Sequence, residues 1–166
     1  FDPFIAIAVC PRSELAYVAK PEIFNIPITG SFVHKCFFLS IDREDNRKAL
    51  ETIRQAASLL RQGTVSIGIY PEGTRSKTGE LLPFRCGAFQ IAKRAGAPIV
   101  IAKTTGTEQI AHRFARKRTL VRFDVLDVLD ADTVAKLHTR EIGEIARARM
   151  LQDTPETSSR KEDINA

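Results

Sequence analysis

The chain has 166 residues, of which 43% are apolar and 27% are charged, and its formal net charge is +5. This composition is typical of a globular domain that can bury a core, and it excludes a disordered or fibrous protein for most of the length. The positive charge suits an anionic partner such as a phosphate head group, an anionic lipid surface or a nucleic acid, and charge alone does not choose among them.

The cysteines and the ends of the chain bear on its compartment. Cys10, Cys36 and Cys86 are widely spaced, odd in number and without metal spacing, which favours a reducing compartment. No apolar run reaches the roughly 18 residues that a membrane-spanning helix needs. Because the chain starts at Phe1 rather than at a methionine, we expect a preceding segment, with room for a membrane anchor, to be missing.

The first half of the chain predicts helices and strands in turn. Residues 3–9 form a short apolar run with a proline at its first position, which predicts the first turns of a buried helix. Apolar runs at 15–19 and 36–41 predict two buried strands. Between Asp45, which suits a helix N-cap, and Gly63, apolar residues recur at helical spacing and predict the clearest helix.

The second half continues this alternation and ends in a polar tail. The predicted elements are strands at 65–69, 98–102 and 121–125 and helices at 84–94 and 140–150. Strands that alternate with helices predict an α/β fold with a central mixed β-sheet flanked by helices. From residue 152 onward the chain is polar and charged, so we expect one domain over 1–151 and a loose tail over 152–166.

A polar loop follows the strand predicted at 65–69, and loops that leave strand ends tend to carry the site in such sheets. Pro71 stiffens the exit from the strand, and Gly73 permits a turn that a side chain hinders. Arg75 offers a planar fork for phosphate, while Glu72 offers an acceptor for a hydroxyl group or for that arginine. The loop predicts a small site for an anion and a polyol; the alternative is a turn with a surface ion pair, which contributes little.

Residues 69–76, which read Ile-Tyr-Pro-Glu-Gly-Thr-Arg-Ser, resemble a known motif. They are similar to the third signature block of the lysophosphatidic acid (1-acylglycerol-3-phosphate) acyltransferase family. Other blocks of that family match in the expected order, with Lys-Pro-Glu-Ile-Phe at 20–24, a strand ending in Asp-Arg at 38–43, and Phe-Arg-Cys-Gly-Ala-Phe at 84–89. The fourth block is partial, because Ile101 stands where a second proline is usual. The resemblance covers roughly residues 1–101 and implies a glycerolipid acyltransferase-like fold.

The first block of the family is a histidine, four intervening residues and an aspartate, and Asp2 corresponds to that aspartate. Acyl transfer needs a base that takes the proton of the attacking hydroxyl group, and an imidazole oriented by a carboxylate suits this task. The histidine would precede Phe1. Because His34, His112 and His138 lack the required spacing to Asp2, we expect this chain on its own to be inactive.

The resemblance implies an enzyme of phospholipid synthesis. It would transfer a fatty acyl group from acyl-CoA or acyl carrier protein to the free hydroxyl group of 1-acylglycerol-3-phosphate, giving phosphatidic acid. The reaction needs no covalent acyl-enzyme, no cofactor and no metal. The implied partners are a lysophospholipid, the acyl donor and a membrane surface, and the implied location is the cytoplasmic face of a membrane.

The resemblance also assigns roles to individual residues. Asp2 is the catalytic aspartate that holds the histidine. The substrate-binding positions are Arg75 for the acceptor phosphate, Arg43 and Lys20 as secondary cations, Glu72 for the glycerol, and Gly73 and Thr74, which shape the loop. For Arg43 the alternative is that the Asp-Arg pair before a helix only braces the fold.

Three alternatives remain open at the level of the sequence. The same motifs would serve glycerol-3-phosphate or another lysophospholipid as the acceptor. A non-catalytic, lipid-binding relative would keep the phosphate site without the chemistry. A nucleic-acid partner is disfavoured, because the chain has two tyrosines, no tryptophan and no recognisable nucleic-acid motif.

Overall fold

The computed structural model describes residues 2–11, 14–27, 29–42, 44–74, 76, 78, 80–107, 109–110 and 118–152. Its first helices and strands are α1 (Asp2–Val9), β1 (Leu15–Ala19), α2 (Pro21–Phe24), α3 (Thr29–Lys35), β2 (Leu39–Ser40), α4 (Asn46–Arg61) and β3 (Ser66–Gly68). A 3-10 turn (Cys86–Phe89) then leads into α5 (Gln90–Ala95), β4 (Ile99–Thr105), β5 (Arg122–Leu129), α6 (Ala131–Lys136) and α7 (Thr139–Gln152). The predicted alternation of strands and helices is confirmed.

Strands β1, β2 and β3 form a parallel sheet with β1 in the middle. Val18 lies opposite Leu39 on one side of β1, and Tyr17 lies opposite Gly68 on the other. Parallel strands end at the same edge of a sheet, so the segments that follow β1, β2 and β3 leave from one edge. This edge gathers the sequence blocks that start at Lys20, near residue 42 and at Tyr70.

Strands β4 and β5 pair in antiparallel fashion, with Ile99 opposite Leu129 and a bulge between Ile101 and Ala102. The described strands therefore have the mixed pairing that the sequence predicts, distributed over two hydrogen-bonded sheets. The long loop after β3 and helix α5 come between the parallel strands and β4. This second sheet begins where the fourth sequence block lies.

Helix α4 packs on the parallel sheet and has the capping that its sequence predicts. The side chain of Asp45 accepts hydrogen bonds from the backbone N–H groups of Arg47 and Lys48. Gly63, at φ 68°, follows the last turn. We call the interior here the parallel-sheet core; its buried members are Leu39, Ala56, Ala57 and Ile91.

The second interior lies under β4 and β5, and we call it the antiparallel-sheet core. Helix α7 packs against the 3-10 turn and β4. The buried members of this core are Phe89, Ile101, Leu129, Val134, Ile142 and Ala146. Helix α7 ends at Gln152, and the predicted tail beyond it lies outside the described residues.

Several predicted elements differ from the structure in their limits: β4 continues to Thr105 and β5 to Leu129, beyond the predicted ends at 102 and 125, and helices α2, α3 and α6 were not predicted. The strand predicted at 36–41 is reduced to Leu39–Ser40, because α3 occupies the chain up to Lys35 and a turn with Phe37 at φ 55° follows it. The helix predicted at 84–94 begins as a 3-10 turn at Cys86. Among the described residues, no helix has the length and the apolar character that crossing a bilayer requires.

Candidate active site

Asp2 lies in the first turn of α1, which packs against β1 and β5. Its Oδ1 atom is buried and has no hydrogen-bond partner among the described residues. Burying a carboxylate oxygen without a partner costs on the order of 1–3 kcal/mol or more, so such an atom calls for an explanation. A carboxylate that orients a catalytic base needs a partner, because it accepts a hydrogen bond from that base.

The hydroxyl groups of Tyr17 and Tyr70 lie within electrostatic range of Asp2. The two rings stack with centroids 5.7 Å apart and an interplanar angle of 12°. Burial raises the pKa of Tyr17 to about 12; the neighbouring Tyr70 lowers it by less, and Cys10 and Asp2 add small raising effects. Tyr70 keeps 43% of its surface exposed, and desolvation of the remainder, with smaller effects of Tyr17 and Asp2, raises its pKa.

The loop at 70–76, which we call the signature loop, continues directly from β3. Gly73 has φ 75°, a conformation that favours glycine, and its N–H group donates to the carbonyl oxygen of Tyr70 at 3.1 Å. The predicted turn at this glycine is therefore confirmed. Downstream, the N–H group of Arg85 donates to the carbonyl oxygen of Pro71 at 2.9 Å, which closes the loop.

Glu72 is half-buried and acts inside this loop. Its Oε2 atom accepts a hydrogen bond of 2.8 Å from the backbone N–H group of Leu82, ten residues along the chain. A charge-assisted bond of this length fixes both the carboxylate and the returning segment. The structure thus gives Glu72 a bracing role, while its predicted contact with glycerol stays a prediction.

Comparison with known proteins identifies the family to which the chain belongs. A family model described as Acyltransferase matches residues 1–102, which include Asp2, β1 to β3 and the signature loop. The chain belongs to this acyltransferase family. The family resemblance predicted from the signature blocks is confirmed.

Individual relatives of the chain carry a more specific name. A 1-acyl-sn-glycerol-3-phosphate acyltransferase from Cocos nucifera is 37% identical over 119 residues, covering 72% of this chain and 37% of that protein. The protein of the same name from Salmonella typhimurium is 33% identical over 139 residues, covering 84% of this chain and 57% of the relative. The chain therefore spans 37% of the length of the first relative and 57% of the length of the second.

A solved structure supports the same fold. The crystal structure of the 1-acyl-sn-glycerophosphate (LPA) acyltransferase PlsC from Thermotoga maritima matches with a TM-score of 0.60 and 24% sequence identity. The match covers 85% of this chain and 58% of that protein. It confirms the predicted α/β fold.

The cationic residues that the family resemblance assigns to phosphate are described only in part. Lys20 is exposed at the end of β1, immediately before α2. Thr74 is exposed in the signature loop. Arg43 and Arg75 lie outside the described residues, so their predicted contacts with phosphate stay predictions.

The aspartate before Arg43 has a structural task of its own. The Oδ1 atom of Asp42 accepts from the N–H groups of Glu44 at 3.1 Å and Asp45 at 3.3 Å. These bonds organise the turn that leads into α4. They favour a bracing role for Asp42, and they leave the role of Arg43 open.

His138, whose side chain the structure describes, immediately precedes helix α7. The backbone N–H group of His138 donates to Oε2 of Glu141 at 2.6 Å, as at a capped helix start. This end of α7 adjoins the antiparallel-sheet core through Leu137 and Ile142. The side chain of His34 and the whole of His112 lie outside the described residues. Within the described part, no group of three or more metal-binding side chains is found.

Three contacts in the site did not emerge from the sequence. They are the stacking of Tyr17 on Tyr70, the approach of Tyr17 to Gly68, and the bond from Leu82 to Glu72. A glycine inside a strand is the one local signal, because it often marks a close approach by another group. The other two contacts depend on the register of β1 and β3 and on how the loop returns.

Proposed function

We propose that the protein transfers a fatty acyl group from an acyl thioester to the free hydroxyl group of 1-acylglycerol-3-phosphate, giving phosphatidic acid. The observation that carries this proposal is the proximity of two family blocks. Asp2 of the first block lies within electrostatic range of Tyr70, the first residue of the signature loop. The names of the relatives from Cocos nucifera and Salmonella typhimurium support the acceptor.

The chemistry requires a base beside Asp2, and the family resemblance assigns it to the histidine of the first block. The imidazole, oriented by Asp2, takes the proton from the acceptor hydroxyl group. The resulting oxygen nucleophile attacks the thioester carbonyl carbon, and the tetrahedral intermediate collapses to an ester with loss of the thiolate. That thiolate takes the proton from the imidazolium. No cofactor, no metal and no acyl-enzyme enters this scheme.

The acceptor is held by its phosphate group. Arg75 binds the phosphate through a forked, charge-assisted contact, and Arg43 and Lys20 add positive charge at the same edge of the sheet. Glu72, Gly73 and Thr74 shape the pocket for the glycerol. The bond from Leu82 to Glu72 supports this proposal, because it gives the loop one fixed path.

The donor and the location follow from the chemistry of the substrates. Acyl-CoA and acyl carrier protein both present a thioester on an acidic carrier, which suits the net charge of +5. The acceptor is an amphiphile, so the enzyme works at a membrane surface, on its cytoplasmic face. No nucleic acid takes part.

The test is an acyl-transfer assay of the protein as its gene encodes it, with competing acceptors. We expect 1-acylglycerol-3-phosphate to be used in preference to glycerol-3-phosphate and to lysophospholipids with other head groups. Preference for one of those acceptors would change the substrate assignment. Tight binding of the lysophospholipid without any turnover would indicate a non-catalytic relative.

Replacement of Arg75 tests the phosphate contact. Arg75→Ala removes a charge-assisted contact worth about 1.5–3 kcal/mol, so we expect the KM for the acceptor to rise roughly 10- to 100-fold. The KM for the donor should stay unchanged. Arg94→Ala, at an exposed arginine of α5, is the matched control for loss of one positive charge. A normal acceptor KM in Arg75→Ala would contradict the assignment.

A further inference from the structure

Arg147 is a partly buried arginine of α7 that the proposed mechanism does not use. It lies beyond residues 1–102, which the family model matches. Its Nη2 atom donates a hydrogen bond of 3.3 Å to the carbonyl oxygen of Leu81. Its Nε atom is buried and has no hydrogen-bond partner among the described residues. Taking a guanidinium group partly out of water is costly, so the contact that it makes with Leu81 calls for an explanation.

Leu81 belongs to the segment that leads from the signature loop to the 3-10 turn. We call residues 80–85 the returning segment. The N–H group of Leu82 donates to Oε2 of Glu72 at 2.8 Å, and the N–H group of Arg85 donates to the carbonyl oxygen of Pro71 at 2.9 Å. The returning segment is therefore attached to the signature loop at two points, and Arg147 attaches it to α7.

Arg147 and Glu72 hold the two ends of one peptide group. The carbonyl oxygen of Leu81 and the N–H group of Leu82 belong to the same peptide unit, and no peptide bond in the described part of the chain is cis. In a trans peptide unit these two groups point in opposite directions, so the cation lies on one side of the segment and the carboxylate on the other. A charged donor at the oxygen and a charged acceptor at the N–H group polarise the unit in the same sense, and each bond strengthens the other.

The packing of α7 brings Arg147 to this segment. Gly143 lies one turn before Arg147 on the same face of the helix. A Cβ atom at Gly143 would lie 3.0 Å from Cε2 of Phe89 in the 3-10 turn. The ring of Phe89 also contacts that of Phe84 in the returning segment, with centroids 6.4 Å apart. Close packing one turn away therefore places the guanidinium group beside the returning segment.

We propose that Arg147 is a positioning residue of the active site, which fixes the carboxylate of Glu72 through the peptide group between Leu81 and Leu82. Glu72 immediately precedes Gly73 in the signature loop, so a fixed carboxylate also fixes the path of the loop. Without Arg147 the returning segment loses its bond to α7, and Glu72 holds a peptide group that is free to shift. The kinetic consequence rests on the proposed function, which assigns Glu72 to the glycerol of the acceptor, and the structural link does not.

The kinetic test is Arg147→Met in the protein as its gene encodes it. Methionine keeps a long apolar side chain and removes the guanidinium group, so we expect the KM for the acceptor to rise roughly tenfold, the equivalent of about 1.4 kcal/mol. The KM for the acyl donor should stay unchanged. The control is Arg149→Met, which removes one positive charge from the same helix and breaks an ion pair with Asp127. It should leave the acceptor KM alone, and a normal acceptor KM in Arg147→Met would overturn the proposal.

A second test does not depend on activity. The backbone amide of Leu82 donates to Glu72, so its hydrogen exchange with solvent reports how firmly that bond is kept. In Arg147→Met we expect exchange at Leu82 to become about tenfold faster relative to the amide of Ala57, which lies inside α4 and reports any general loss of stability. In Arg149→Met this ratio should stay at the wild-type value.

The two tests separate this proposal from the proposed function. An unchanged exchange ratio in Arg147→Met would overturn the link between α7 and Glu72, whatever the protein catalyses. A raised ratio, in a protein whose wild type transfers no acyl group, would support the link and refute the proposed function. A raised ratio together with a raised acceptor KM supports both.

Discussion

The two cores of this chain are filled in different ways. In the parallel-sheet core the helix α4 contributes small residues, Ala56 and Ala57, which are 0% and 1% exposed. Beside it the ring of Tyr17 lies directly on the backbone of Gly68. The antiparallel-sheet core is filled by large apolar side chains such as Phe89 and Ile142. The tightest approach of a ring to a strand glycine lies in the parallel-sheet half, whereas the largest fully buried side chain, Ile142, lies in the antiparallel-sheet half.

This difference matches the distribution of function. Tyr70 and the signature loop lie on the parallel-sheet half, and Asp2 lies on α1, which contacts β1 of that half and β5 of the other. The antiparallel-sheet half carries none of the predicted site residues that the structure describes, and its Arg147 reaches the site only through the Leu81–Leu82 peptide group. Substitutions in the first half should therefore change activity more than stability, and substitutions in the second half, Arg147 excepted, should do the reverse.

The largest effect is expected from Asp2→Asn in the protein as its gene encodes it. The amide keeps the size of the side chain and removes the charge that orients the base and stabilises its protonated form. The same change in the aspartate of a serine-protease triad costs about 10⁴-fold in kcat, and we expect a loss of similar order. Steady-state kinetics would measure it, with Asp132→Asn, at an exposed site on α6, as the control. If Asp2→Asn kept most of its kcat, Asp2 would not be the catalytic aspartate, and that role would have to be assigned to another residue.

The next effect concerns stability in the other half. Ile142 is fully buried in the antiparallel-sheet core, so Ile142→Ala should lower the free energy of unfolding by about 2–5 kcal/mol. Denaturant unfolding measures this loss. The kcat per folded molecule should stay at the wild-type level when assayed well below the unfolding midpoint. A large fall in kcat would show that the two halves are coupled and would remove the contrast between them.

Sequence-based prediction succeeds for features that depend on local contacts and fails for features that depend on residues distant in the chain. Asp45 caps α4 and Gly63 follows it, as predicted, because such signals act within one or two turns of the chain. The predicted strand at 36–41 is mostly absent, because Val33 and Phe38 close a helix end that no apolar pattern reveals.

The same distinction between local and distant contacts applies to the candidate site. The turn at Gly73 was predictable from one residue and its neighbours. The contact of Tyr17 with Gly68 requires the register between β1 and β3, and the bond from Leu82 to Glu72 requires the path of a whole loop. Neither contact produces a periodic pattern or a characteristic spacing of residues in a single sequence. The phosphate contacts of Arg43 and Arg75 were predicted from family resemblance alone and stay predictions.

The smallest effect tests strain in the parallel-sheet half. Helices α3 and α4 end in the same motif, in which the second residue past the helix is left-handed and the next N–H group bonds back to the helix. Thr64 donates to the carbonyl oxygen of Leu59 at 3.3 Å behind Gly63, and Phe38 donates to that of Val33 at 3.3 Å behind Phe37. Glycine suits this position, whereas Phe37 takes φ 55° at a steric cost.

Two replacements at residue 37 separate that backbone strain from the contacts of the ring. Phe37→Ala and Phe37→Gly both lose the ring, so their difference reports the backbone alone. We expect the glycine variant to be more stable by about 1 kcal/mol in denaturant unfolding, and Gly63→Ala to lose a similar amount at the end of α4. At an ordinary helical position alanine is the more stable of the two by about the same amount. A more stable Phe37→Ala would therefore mean that residue 37 is not left-handed and that α3 ends without strain.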